Sequence, residues 1–250
     1  MDIQLLQGDC LQLMQEIPDA SIDMILCDLP YGTTKNKWDC MIPLEPLWEQ
    51  YKRIIKKRGC IALFGQPPFD KVLGCSNLGM LKYEWIWEKP MSTGRLNVHF
   101  APLKAHENIL IFSKAAGCYV KDPGKAMVYN PQITTGKPYK GISGGVSTNY
   151  DTVWSRECYK VNTGTRYPRD VQRFNHDRGG LHPTQKPVAL LEYLVRTYTY
   201  EGDVVLDNCM GSGSTGIACI HTGRRFIGME LDGHYYDVAK RRIDREFTGK

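Results

Sequence analysis

The chain has 250 residues, 42% of them hydrophobic and 24% charged, with a formal net charge of +5. That composition suffices for one α/β domain with a sizeable core and a small insert, and it excludes global disorder. The longest unbroken apolar run, Cys60–Phe64, is far too short for a bilayer-spanning helix.

The first residues, Met1-Asp2-Ile3-Gln4, have neither the basic nor the apolar region of a secretory signal. Nine cysteines are scattered without a C-x-x-C pair or a His/Cys cluster at metal-ligand spacing. This pattern reads as reduced thiols in a cytoplasmic protein, with Cys27 and Cys60 as small core residues and no metal.

In chain order, residues 2–7 read as a strand ending at Gly8-Asp9. Cys10, Leu13, Met14 and Ile17 follow at helical spacing. Asp23–Cys27 is a buried strand that stops at Asp28-Leu29-Pro30-Tyr31-Gly32. Leu44, Leu47, Trp48, Tyr51, Ile54 and Ile55 form a helical stripe that Gly59 should end. Cys60–Phe64, Tyr83–Trp87 and Asn108–Phe112 are three further strands.

Periodicity then fades over residues 115–180, which hold nine of the 24 glycines and six of the 14 tyrosines and read as a loop-rich insert. The insert carries ten Lys and Arg against five acids, a surplus equal to that of the whole chain. Such a basic excess suits an anionic partner, although a solvated loop region also accounts for it. Order resumes with a helix over Lys186–Thr199, strand Val204–Asp207, a glycine loop, helix Thr215–His221, strand Arg225–Met229 and a helix from about Tyr235. Alternating strands and helices imply a mostly parallel sheet covered on both faces.

Two turns carry the chemistry. Gly211, Gly213 and Gly216 match G-x-G-x-x-G between a strand and a helix, and Glu230 ends the following strand. Glycines let a ligand approach the backbone, the helix N-terminus offers N–H groups, and a strand-tip carboxylate can accept two ribose hydroxyls. Alone, this fits NAD, FAD or S-adenosylmethionine. Asp207, just before the loop, would repel a pyrophosphate but suit an ammonium group. The second turn, Asp28–Tyr31, places a carboxylate, a proline and an aromatic ring at a strand's carboxyl end. A carboxylate and a backbone carbonyl there could accept hydrogen bonds from an aromatic amine and concentrate its lone pair. They would also stabilise the positive charge developing on nitrogen. Pro30 would fix the turn and Tyr31 would stack on an extruded base. The same four residues also suit an ordinary turn after a strand.

Asp28-Leu29-Pro30-Tyr31 resembles the Asp-Pro-Pro-Tyr catalytic motif of amino-methylating DNA methyltransferases, and Asp207–Gly216 resembles their cofactor loop. The order, catalytic motif then basic insert then cofactor loop, looks like the β group of that family. Gly8-Asp9-Cys10 resembles the turn that holds the cofactor adenine. Trp87-Glu88-Lys89, His106-Glu107 and Phe112-Ser113-Lys114 resemble the strand pair after the active site. His182-Pro183-Thr184-Gln185-Lys186-Pro187 resembles the cap over the methionine end. Leu29 departs from the family's second proline, which leaves the loop's shape open.

The resemblance implies an α/β, Rossmann-like S-adenosylmethionine-dependent methyltransferase fold: a seven-stranded, mixed, mostly parallel sheet with one antiparallel hairpin and a loop-rich insert. It divides the single domain into a catalytic part at 1–114, a target-recognition insert at about 115–180 and a cofactor part at 181–250. Asp28, Pro30 and Tyr31 would be catalytic. S-adenosylmethionine would meet Asp9, Cys10, Asp28, Thr184, Lys186, Asp207, Gly211, Ser212, Gly213, Ser214, Thr215 and Glu230, with Lys186 near the methionine carboxylate. Asp at the motif's first position implies site-specific methylation of adenine N6 in double-stranded DNA, with cytosine N4 the alternative. No Pro-Cys dipeptide exists to supply a cytosine-C5 nucleophile.

Lys35 and Lys37, in the loop after the motif, would lie near phosphates as that loop closes. Arg166, Arg169, Arg173 and Arg178 are the expected DNA face, unless they pair with acids such as Asp170 and Asp177. A homodimer and a cognate restriction endonuclease, as in a restriction-modification pair, are compatible partners. From other classes, a nicotinamide- or flavin-dependent oxidoreductase explains the glycine loop but not Asp28–Tyr31. A DNA-binding module explains the insert but not the cofactor loop. RNA and protein methyltransferases with such a turn usually place the cofactor loop first.

Overall fold

The computed structural model describes residues 2–32, 40–118, 120–146, 153–177 and 185–248. The chain forms two compact units, Pro131–Arg169 and the remainder on either side of it. The larger unit begins with β1 (Ile3–Gln7), α1 (Cys10–Leu13), β2 (Ile22–Cys27), α2 (Leu44–Ile54), β3 (Ile55–Gly65), α3 (Phe69–Ser76), β4 (Leu81–Thr93) and β5 (Lys104–Phe112). The small unit holds β6 (Thr134–Thr135), β7 (Tyr139–Val146), β8 (Val153–Asn162) and β9 (Thr165–Arg166). In it, β6 pairs with β9 and β7 with β8, both antiparallel. The larger unit resumes with β10 (Val171–Arg173), α4 (Val188–Tyr198), β11 (Val204–Asp207), α5 (Ser214–Thr222), β12 (Arg225–Glu230) and α6 (Gly233–Thr248).

The main sheet has the order β1-β12-β11-β2-β3-β5-β4-β10. Only β5 runs against the others. The expected mixed, mostly parallel sheet is therefore present, with eight strands and not seven. The additional strand, β10, comes from the end of the stretch read as loop and pairs parallel with β4. The strand-and-helix alternation was legible elsewhere, but α3 was not expected.

Residues alternate along the central strands, so each strand feeds two cores. Met24 and Leu26 of β2 and Cys60, Ala62 and Phe64 of β3 pack with α4, α5 and α6. Ile25, Cys27, Ile61 and Leu63 pack on the opposite face with α2. Near-continuous apolar strands are what a sheet buried on both faces requires. Gly59 does not end α2, as its sequence position suggested. It lies inside β3, beside the irregularity that shifts the β2–β3 register. A Cβ there would come within 2.7 Å of the Asp23 carbonyl oxygen, so close backbone approach explains the glycine.

One buried polar contact ties a helix to the carboxyl edge of the sheet. The Tyr51 hydroxyl of α2 donates to Asn208 Oδ1 at 2.6 Å, just beyond β11. Tyr51→Phe leaves that buried acceptor unpaired and is expected to lower unfolding stability by about 1–3 kcal/mol. A shift of the urea midpoint at constant m measures this.

Candidate active site

Because seven strands are parallel and β5 is reversed, the carboxyl ends of β1, β2, β11 and β12 share an edge with the start of β5. That edge opens into a cavity of about 850 Å3. Its wall includes Asp9, Asp28, Glu107, Asp207, Glu230 and Asp232, together with Lys89 and Lys186.

Asp28 follows β2 directly. Its Oδ1 accepts the Tyr31 hydroxyl at 2.7 Å and its Oδ2 accepts the Lys186 ammonium. Burial lifts the Asp28 carboxyl above its usual range, and the Lys186 charge is the main counterweight. Tyr31 stacks on Phe69 with ring centroids 4.9 Å apart. Burial, with the Asp28 charge, pushes its phenol well above the usual range. Pro30 lines the cavity. Leu29 is buried in the core shared with α2, so the departure from the family's second proline places an apolar side chain in packing.

Lys186 also lies 3.3 Å from Glu107 Oε2. Glu107 Oε1 accepts from Lys89, and from Gln66 Nε2 at 2.6 Å. The result is an alternating row: Asp28, Lys186, Glu107, Lys89. Burial disfavours the Glu107 carboxylate, but Lys186 and Lys89 outweigh it and hold its pKa below the usual range. Burial likewise opposes the Lys186 charge, and Asp28 and Glu107 outweigh it. Lys186 was expected near a methionine carboxylate; here its ammonium bonds the motif aspartate. Glu107, Lys89 and Gln66 received no role from the sequence. Two of them stand in segments singled out by resemblance, Trp87–Lys89 and His106-Glu107, and that was the only available signal.

The glycine loop is built from local contacts. Asp207 Oδ1 accepts from Cys209 N at 3.1 Å and Oδ2 from the Thr215 hydroxyl at 2.6 Å. Burial raises its carboxyl from 3.8 to about 7. Glu230 accepts Gly211 N and Asp232 N, each at 2.9 Å. Burial raises its carboxyl too. Gly213 is the residue before α5 and adopts φ +77°. Gly216 permits close packing, since a Cβ there would lie 2.6 Å from Ile243. Arg242 donates to the Ser214 hydroxyl at 2.9 Å and to the Ser212 carbonyl at 3.1 Å. Asp9 caps α1 through Leu11 N at 2.8 Å, and Cys10 lies beside Asn208. These residues, Asp9, Cys10, Asp207, Gly211, Ser212, Ser214, Thr215 and Glu230, line the one cavity with Asp28 and Lys186.

Thr184, Lys35, Lys37 and Arg178 lie outside the described residues. The expected arginine cluster divides between the units. Arg166 and Arg169 belong to the small unit, and Arg173 lies on β10 in the main sheet. Arg166 bonds within its own unit, to Asn162 Oδ1 at 2.8 Å and to the Lys137 carbonyl, with its guanidinium 4.8 Å from the Tyr139 ring.

Carboxylates outnumber ammonium groups along the wall. This donor set fits a ligand bearing positive charge and hydroxyls, as S-adenosylmethionine does, and does not fit a pyrophosphate. Gly211 N, which a phosphate would need, is already bonded to Glu230.

Lys186→Met is expected to destabilise the fold by about 3–5 kcal/mol at neutral pH, because it leaves two buried carboxylates facing each other. The loss should shrink at acidic pH, where Asp28 takes up a proton, and in the Lys186→Met/Asp28→Asn double variant. Urea titrations at two pH values measure both effects.

The chain is similar to known proteins over nearly its whole length. The type II methyltransferase M.HpaI of Haemophilus parainfluenzae is 29% identical over 100% of this chain and 76% of its own. The DNA adenine methyltransferase YhdJ of Escherichia coli K12 is 29% identical over 96% of this chain and 82% of its own. The crystal structure of the M1.HpyAVI–SAM complex shares the fold at a TM-score of 0.63, with 24% identity over 96% of this chain and 99% of that one. The N6/N4 DNA methylase pattern matches residues 22–241. The chain therefore belongs to that family, the S-adenosylmethionine-dependent DNA methyltransferases.

Proposed function

We propose that the chain methylates adenine N6 in double-stranded DNA, with Asp28 as the residue that activates the amine. The observation that carries this reading is Asp28 itself: a carboxylate at the tip of β2, facing the cavity and held by Tyr31 and Lys186. The similarity to YhdJ, a DNA adenine methyltransferase, supports the same substrate.

S-adenosylmethionine supplies an electrophilic methyl group on a sulfonium. The chain does the rest. Each Asp28 oxygen has more than one lone pair, so it can accept the target amine beside its present partners. With a backbone carbonyl of the Leu29-Pro30 turn, it draws the nitrogen lone pair out of the ring. The Lys186 ammonium favours the ionised form of Asp28 before transfer. Burial has raised the Asp28 carboxyl, so it can hold the proton that the nitrogen sheds afterwards. Tyr31, already stacked on Phe69, offers a π face to an extruded base. Asp207 would meet the methionine ammonium, Glu230 the ribose hydroxyls and Asp9 the adenine side. Arg169 and Arg173, with Lys35 and Lys37, would hold phosphates. A cytoplasmic location and a cognate restriction endonuclease belong to the same proposal, the latter in line with the type II designation of the M.HpaI relative. Sedimentation of the free chain would test for a homodimer.

Mass spectrometry of nucleosides from treated DNA tests the substrate. The expected product is N6-methyladenine, and Asp28→Ala is expected to abolish it while keeping the fold. A product found only on cytosine overturns adenine, and full turnover by Asp28→Ala overturns the mechanism.

Asp207 gives cofactor binding a pH dependence. Its folded value of about 7 lies above the ordinary 3.8. Ionisation of this buried group therefore opposes folding, and stability falls as pH rises between about 4 and 7. Affinity for the cationic cofactor runs the other way, because only the ionised carboxylate pairs with an ammonium. Calorimetry is expected to show affinity weakening by up to about tenfold per pH unit below 7. Asp207→Asn should bind weakly with a flattened profile.

A further inference from the structure

Glu107 stands near the start of β5, 5% exposed, and its two carboxylate oxygens have different surroundings. Oε1 accepts from Lys89 and, at 2.6 Å, from Gln66 Nε2. Oε2 is buried and has no hydrogen-bond donor among the described residues. It faces the Lys186 ammonium at 3.3 Å, while that ammonium bonds Asp28 Oδ2. A buried carboxylate oxygen without a donor is costly and uncommon. This one lies a short swing from a cation that the neighbouring carboxylate now holds.

Two anions share one cation, so Lys186 moves toward one only by leaving the other. A firm bond to Lys186 commits an Asp28 lone pair and lowers its basicity. The Glu107 charge acts the other way: it raises the Asp28 carboxyl and competes for the ammonium.

We propose that Glu107 is a positioning residue for methyl transfer: its Oε2 draws the Lys186 ammonium off Asp28 as the amine arrives, which opens a carboxylate oxygen to that amine and keeps Asp28 basic. Once the nitrogen carries the methyl group and a positive charge, its N–H bond breaks. The electron pair stays on nitrogen and the proton passes to Asp28. Asp28 is then neutral, and Glu107 supplies the buried ammonium with its counter-ion through the rest of the turnover. The other groups facing Asp28 leave this exchange to Lys186. Burial pushes the Cys27 thiol up to about 12 and the Tyr31 phenol well above its usual range, so both stay protonated. Asp207, at about 7, titrates alike whatever residue 107 is. This inference rests on the reading of Asp28 as the residue that activates the amine.

The test compares the wild type with Glu107→Gln and Glu107→Asp. Glutamine has the same shape and can still accept from Lys89, and urea midpoints check the fold. Single-turnover methylation is followed against pH at saturating S-adenosylmethionine, on a duplex carrying the site mapped by sequencing treated DNA. In Glu107→Gln the acid limb is expected to move down by about one pH unit and the plateau to fall about three- to tenfold, because a less basic carboxylate is a poorer acceptor. Glu107→Asp keeps the charge and should hold the limb at its wild-type position. Affinity for S-adenosylmethionine, by calorimetry, should be unchanged in both. A second readout needs no turnover: carbon NMR of cofactor-free protein labelled at the Asp carboxyl carbons, with the Asp28 resonance assigned by its loss in Asp28→Asn. Its titration midpoint should fall by about one unit in Glu107→Gln. An unmoved limb or an unmoved resonance overturns the proposal. A weaker cofactor affinity or a higher KM for DNA with the limb in place makes Glu107 a ligand contact, and also overturns it. Should Glu107→Gln not fold, Glu107→Asp decides alone, and a displaced limb there overturns the proposal. Full turnover by Asp28→Ala overturns the reading of Asp28, and this role with it.

Discussion

Two carboxylates, Asp28 and Glu107, share a buried corner of the sheet edge because one ammonium, Lys186, sits between them. Without it, each would face a like charge in surroundings that hydrate neither, and at least one would be neutral. The Lys186 side chain reaches both from the segment immediately before α4. The Asp28–Tyr31 turn after β2, the start of β5 and the lead into α4 are therefore held by one cation. A lysine suits this place better than an arginine, since a compact ammonium can serve two acceptors without imposing a planar fork.

The reversal of β5 makes this possible. In an all-parallel sheet the edge that binds ligands receives only strand ends, and the residue next in line would be the end of another parallel strand. With β5 antiparallel, the edge receives a strand's beginning, and Glu107 enters beside Asp28 from the far direction in sequence. Glu107 in turn fixes Lys89 of β4 and Gln66 just after β3. The strand that breaks the parallel pattern thus carries the charge that completes the site.

This division explains what the sequence made legible. Asp28, Asp207, Gly211–Gly216 and Glu230 sit at strand-to-helix junctions, where local hydrophobic runs mark the strand and the next residues mark its end. Their convergence follows from parallel order alone. Glu107 was legible only as part of a family-like segment, because its partners lie 41 and 18 residues away or more, and pairing at that distance is a tertiary outcome. The short α3 was hidden for a different reason: it follows Pro67-Pro68 and contains Gly74, residues that read as turn. Gly59 misled because a glycine after a helical stripe suggests a helix end, whereas here it makes room for the Asp23 carbonyl. β10 has three residues with one neighbour, and so little periodicity that only its pairing with β4 makes it a strand.

The charges are also sorted by depth. The cavity wall is rich in carboxylates, which favour a cation and hydroxyls and disfavour a phosphate. Within the same unit, Arg95 and Lys104 place cations at the connection between β4 and β5, whose strands wall the cavity. A polyanion is drawn to the outer cations and repelled by the inner carboxylates, so its backbone has a reason to stop at the rim. A neutral base carries no such penalty and can pass inward. The two fields together favour one geometry for a DNA substrate, with phosphates outside and a single uncharged base within reach of Asp28.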